Sequence, residues 1–171
     1  MNEERERAPV VNGIHLVRTT QQIHVQLSQM ADQKASILMG ATFVIFTITI
    51  GQSRGSGPPL PLLILGAFAF FAAVFAVLAI LPATHSRKKA DWVNLLFFGS
   101  FTQIDEADYV ERLMDKLYSD EDVYRLIAHD IYQNGRVLAR KKYRMLGYAY
   151  RIFLAGMTAS FIAFLWQIFA R

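Results

Sequence analysis

Cysteine is absent from the 171 residues. Disulfides, a thiol nucleophile and a cysteine-held metal are therefore excluded, and the redox compartment leaves no mark on the chain. Charge is also sparse. Asp, Glu, Lys and Arg make up 19% of the chain against 53% hydrophobic residues, and the mean hydropathy of +0.24 is high for a soluble domain of this size. The four histidines, His15, His24, His85 and His129, show no metal-ligand spacing. No serine sits in a nucleophile-elbow glycine frame, and no glycine-rich phosphate loop follows a strand. His129 beside Asp130 reads as a solvated surface pair. These absences argue against an enzyme. The opening MNEERERAPVVNG lacks the basic start and apolar run of a secretory signal, so membrane entry is expected through the first long apolar segment.

Three long apolar runs are present: ASILMGATFVIFTITIG at 35–51, LPLLILGAFAFFAAVFAVLAILP at 60–82 and IFLAGMTASFIAFLWQIF at 152–169. None holds an interior charge, and a spanning helix needs roughly 17–25 predominantly apolar residues. The expected class is an all-α integral membrane protein with three transmembrane helices, two of them extended into a cytoplasmic helical bundle. The expected division is a cytoplasmic N-terminal helix over 1–34, spans at 35–51, 60–82 and 148–170, an external loop at 52–59, and a cytoplasmic helical region over 83–147. Basic residues orient it. The short QSRGSGPP turn carries one cation, whereas Arg5, Arg7, Arg18 and Lys34 precede the first span and a larger basic set lies between spans two and three. Lys and Arg stay preferentially on the cytoplasmic side, which places the N-terminus and the long middle segment there.

The cytoplasmic half reads as helix. Leu16, Thr20, Ile23, Leu27, Met30, Lys34 and Ile37 form a heptad seam that continues into the first span. Asp105 and Ser119 stand at helix starts, with acids in the turns that follow. Val110, Leu113, Met114 and Leu117 make one apolar face. A second seam, Tyr124, Ile127, Ile131, Asn134, Leu138, Lys141, Met145, Tyr148 and Ile152, runs directly into span three. The two seamed helices are expected to pack on each other. No stretch alternates long enough for a sheet.

RKKADWVNLLFFGSF, residues 87–101, cannot span: Trp92 to Phe101 covers only about half the hydrocarbon thickness as a helix. It either lies in the headgroup layer, with Arg87, Lys88 and Lys89 on lipid phosphates, or plugs the base of the long helices. A second feature is charge asymmetry. No acidic residue follows Asp130, yet Arg136, Arg140 and Arg144 stack four apart beside Lys141 and Lys142. Water and lipid headgroups satisfy such a face, or an anionic ligand such as a phosphate diester does. Lys34 either snorkels from the first span or is held between helices near Asn94 or Asn134, with a pairing that responds to ligand. Within the membrane, Ala69, Ala72, Ala76, Ala79 and Ala83 stripe span two, and Gly156 and Ser160 lie on span three. Such small faces let helices approach closely.

ADQKASILMGA at span one, NLLFFGSF after span two and DIYQNGRVLARKKYRMLGYAYRIFLAG into span three, taken in that order, resemble the membrane effectors of Pycsar antiphage systems, the PycTM family. The resemblance covers most of the chain. It implies an inner-membrane, multi-pass effector with its N-terminus in the cytoplasm. A partner pyrimidine nucleotide cyclase makes cyclic CMP or cyclic UMP during infection, and the activated effector disrupts the membrane in abortive infection. The family motifs fall on Asp32, Lys34, Asn94, Gly99, Asp130, Gly135, Lys141 and Lys142. Some effectors of such systems carry a separate β-roll nucleotide domain. No strand-rich segment of that size exists here, so sensing falls to the helical half, across subunits of a homo-oligomer. Asp32, Lys34, Arg87, Lys88, Asn94, Arg136, Arg140 and Lys141 are the candidate ligand residues. The expected partners are membrane lipid, the cyclic pyrimidine nucleotide as activating ligand and the cyclase; no other cofactor, no metal and no nucleic acid is expected. The rival reading is a helical membrane anchor that recruits a cytoplasmic partner through its heptad surfaces. A small transporter subunit would need more polar spans than Thr42, Thr47, Thr49, Thr158, Ser160 and Gln167 provide.

Overall fold

The computed structural model describes residues 13–52, 57–81 and 93–169, and among them every regular element is helical. In chain order these are α1 (Gly13–Gly51), α2 (Leu60–Ile80), a single turn α3 (Phe98–Phe101), α4 (Glu106–Leu117), α5 (Asp120–Val137), a π-helical turn (Leu138–Tyr143) and α6 (Arg144–Phe169). Three helical stretches are long and apolar enough to cross a membrane: Gly13–Gly51, Leu60–Ile80 and Asp120–Phe169. The first and third, of 39 and 50 residues, far exceed the roughly 20 that a bilayer requires. The chain divides into two compact units, one drawn from Met1–Gln26 and Pro82–Val137, the other from Leu27–Leu81 and Leu138–Arg171.

The second unit holds the apolar segments, and small residues face its interior. Ala31, Ala35 and Leu38 of α1 cluster with Ala76 and Ala79 of α2 and with Leu146 and Ala149 of α6. Phe43, Phe70, Phe71, Leu154, Phe161, Ile162, Trp166 and Phe169 point outward. Lipid supplies no hydrophobic drive between helices, so close backbone approach and dispersion hold such spans together, while bulky residues meet the acyl chains. The alanine stripe of α2 is buried from Ala69 to Ala79; Ala83 lies outside the described residues. Two contacts show how tight the approach is. A Cβ on Gly156 would collide with Cβ of Phe68, and one on Gly66 would stand 2.9 Å from Oγ1 of Thr49. The Ser160 hydroxyl donates to the Pro61 carbonyl at 2.7 Å. Thr42, Thr47, Thr49 and Thr158 donate to carbonyls of their own helices, so the span hydroxyls are satisfied without water.

The heptad seam of α1 is not its packed face. Leu16, Ile23, Met30, Lys34 and Ile37 are exposed, Ile37 at 64%, while Ala31, Ala35, Leu38 and Thr42 are buried. Side-chain size decides this: the alanine face brings backbones closer than the seam residues allow.

In the first unit, α4 and α5 begin where capping chemistry places them. The Asp105 carboxylate accepts from the Ala107 N–H at 3.2 Å, and the Ser119 hydroxyl from the Asp122 N–H at 3.4 Å. The apolar face of α4 is left largely open, with Val110, Met114 and Leu117 each about half exposed. The segment after span two packs against α5. Asn94 is 1% exposed and Leu95 5%, Gly99 and Ser100 are buried, and only Leu96 and Phe98 face outward. Arg87, Lys88, Lys89 and Trp92, on which the headgroup reading relied, lie outside the described residues.

Candidate functional site

At the edge of the first span a charge clamp joins α1 to the π turn. The Lys142 ammonium lies 2.8 Å from Oδ1 and 2.7 Å from Oδ2 of Asp32, and 2.7 Å from the Ser28 hydroxyl. The Lys142 side chain is 19% exposed and that of Asp32 44%, so the pair is partly withdrawn from water. Ser28 and Asp32 are one helical turn apart, which puts both oxygens on one face. The next residues reinforce the joint. The Tyr143 hydroxyl donates to the Leu27 carbonyl and the Tyr150 hydroxyl to the Lys34 carbonyl, each at 3.1 Å.

Ordinary helical spacing sets the lysine on the inner face. Lys142, Leu146 and Ala149 follow Leu138 within one face of a helix of about 3.6 residues per turn. Lys142 therefore meets Asp32, and the adjacent Lys141 stands half-exposed with an interaction of its own. Periodicity pointed to Lys141; the family resemblance alone included Lys142. The LARKKY sequence of the turn holds no glycine or proline to betray it.

Beside the clamp lies an open cleft of about 410 Å³, lined by Lys34, Tyr143, Leu146, Gly147 and Tyr150. The described residues place no carboxylate within ion-pair distance of Lys34, and a Cβ on Gly147 would meet nothing within 4 Å.

The other unit contains a buried polar network centred on Asn94. Its amide donates to Asp130 Oδ1 at 3.1 Å and to Gln133 Oε1 at 3.0 Å, and its Oδ1 accepts from the Leu96 N–H at 2.9 Å. Its own backbone N–H donates to the Ser100 hydroxyl at 3.1 Å. The second Asp130 oxygen accepts from Gln21 of α1 at 3.4 Å. Asp130 is 6% exposed and so is no solvated surface residue, although the adjacent His129 is exposed. The network ties the apolar segment after span two onto α5. His24 packs near Gly135, where an added Cβ would stand 3.3 Å from Cε1, and His24 Nδ1 is buried with no hydrogen-bond partner among the described residues.

The candidate residues thus separate. Asp32 is in the clamp and Lys34 in the cleft, while the side chain of Asn94 is fully engaged in its own network. Arg136 is exposed, its guanidinium 5.8 Å from the Tyr132 ring centroid. Arg140 is exposed on the π turn beside Lys141. Arg87 and Lys88 lie outside the described residues. Sequence spacing alone did not single out Lys142, Ser28, Gln21 or Gln133.

Three helices with charge-free apolar runs, small faces packed inward and bulky ones outward, define a helical membrane protein whose first and third span helices are longer than a bilayer requires. The family model for the Pycsar effector protein domain, PycTM, matches residues 15–169, and the chain belongs to this family. Membership gives a role in Pycsar antiphage defence, with a cyclase partner and cyclic-nucleotide signalling, and together with the spans it gives an inner-membrane location. No curated protein and no solved structure matches the chain.

Proposed function

We propose that this protein is a non-enzymatic effector that a cyclic pyrimidine nucleotide, cyclic UMP or cyclic CMP, activates to impair inner-membrane integrity and so abort infection. The N-terminus and the 83–147 region face the cytoplasm, where the partner cyclase releases its product, and the active form is a homo-oligomer. One observation carries the reading: the Lys142–Asp32–Ser28 clamp joins the first and third span helices through a charge pair at the membrane edge. A cyclic nucleotide is a phosphodiester monoanion. Drawn to Arg140, Lys141 and Lys142 of the π turn, it competes with Asp32 for the Lys142 ammonium. A ligand that binds the unclamped state better shifts the population toward it. Moving a 1:99 mixture to 99:1 takes about 10⁴-fold preference, within reach of several charge-assisted hydrogen bonds.

The exposed Val110, Met114 and Leu117 face of α4 favours a second reading, an anchor that recruits a cytoplasmic partner without ligand gating. Cells expressing the effector with an active or an inactivated cyclase separate the two. Loss of membrane potential only with the active cyclase supports the effector. Intact potential with both, together with a stable hetero-complex on pull-down, supports the anchor.

A further inference from the structure

We propose that the cleft formed by Lys34, Tyr143, Leu146, Gly147 and Tyr150 binds the phosphodiester headgroup of an anionic phospholipid from the adjoining leaflet. This goes beyond nucleotide gating and does not depend on it. The cleft sits where the first apolar run begins, with Lys34 immediately before Ala35. It holds one cation, and the nearest carboxylate in sequence, Asp32, is already engaged by Lys142 at 2.7 Å. Both tyrosine hydroxyls donate into carbonyls of α1, at Leu27 and Lys34, which fixes the rings as walls. Leu146 and Gly147 complete an apolar surface. Gly147 fills no packing role, since a Cβ there would meet nothing within 4 Å.

The polar inventory selects between two phosphodiesters. A cyclic nucleotide brings a ribose hydroxyl and a base edge that need several placed donors and acceptors, as small-molecule pockets provide. This cleft supplies one ammonium and two phenol oxygens whose protons are already committed. A phospholipid asks for less. One cation meets its phosphate, and apolar walls meet its glycerol and acyl chain, as in basic pockets between membrane helices. The openness of the cleft suits a ligand whose remainder stays in the bilayer.

The test uses the full chain, purified in detergent and titrated with phosphatidylglycerol or phosphatidylcholine of the same acyl length, with bound lipid counted by native mass spectrometry. Preferential retention of phosphatidylglycerol is expected, falling about fivefold in Lys34→Gln and persisting in Lys34→Arg. Gly147→Phe, which adds a ring to the cleft lining where a Cβ meets nothing within 4 Å, is expected to abolish the preference. Equal retention of both lipids, or unchanged retention in Lys34→Gln and Gly147→Phe, would overturn the site. Displacement of phosphatidylglycerol from the wild-type chain by cyclic UMP or cyclic CMP would overturn the lipid assignment in favour of the nucleotide.

Discussion

Lys142 meets Asp32 through both carboxylate oxygens, at 2.7 and 2.8 Å, across 110 residues of sequence. The pair ties α1 to the π turn. Because Lys142 is mostly buried and Asp32 only partly so, the contact lies between the surface and buried regimes of ion pairing. Lys142→Met or Asp32→Asn is expected to lower stability by about 1–3 kcal/mol, since each leaves its partner uncompensated. Thermal unfolding in detergent reads the loss. The clamp account also requires Asp32→Asn, which frees the Lys142 ammonium, to lower the nucleotide threshold for growth arrest, and the Asp32→Lys, Lys142→Asp double exchange to recover part of the lost stability.

The three membrane-spanning helices were legible in the sequence because a bilayer imposes length and excludes charge, and each of the three apolar runs meets both demands. The alanines of α2 were legible for a related reason: Ala69, Ala72, Ala76 and Ala79 recur at helical spacing and are buried. Asp105 and Ser119 announced their caps locally. What failed depended on non-local choices. The α1 seam read as a packing face, yet Ala31 and Ala35 won because small residues allow closer contact. Lys141 and Lys142 both fall within helical spacing of Leu138, and only the contact with Asp32 on another helix separates them. Asn94 sits in an apolar run, and nothing nearby reveals that its partner is Asp130, 36 residues on.

The close approach of α2 and α6 predicts a sharp contrast between glycines. Gly156→Ala places a methyl group against the Phe68 side chain and is expected to cost about 1–3 kcal/mol. Gly40→Ala meets open space and is expected to be neutral or to stabilise by up to about 1 kcal/mol. Melting temperatures of the two variants in one detergent check this.

Asn94→Ala removes both amide donors and leaves the buried Asp130 carboxylate with Gln21 alone among its described partners. A loss of about 1–3 kcal/mol is expected, the cost of a buried group left unsatisfied. Limited proteolysis should then cut within 93–105 before any other described loop. Asn94→Asp sets a second carboxylate beside Asp130 and is expected to be worse.

Arg140 is exposed on the π turn, and the proposed anion path runs past it. Arg140→Ala is expected to raise the cyclic-nucleotide concentration needed for growth arrest while membrane fractionation shows normal insertion. Wild-type dependence in this variant would remove Arg140 from the path.

Dye release from proteoliposomes of the purified chain tests the central claim most directly, with cyclic UMP, cyclic CMP, cyclic AMP and cyclic GMP added in turn. The account predicts release with a pyrimidine nucleotide and none with the purines, and a lower threshold for Asp32→Asn. Folded, correctly oriented protein that releases no dye with any of the four would contradict it.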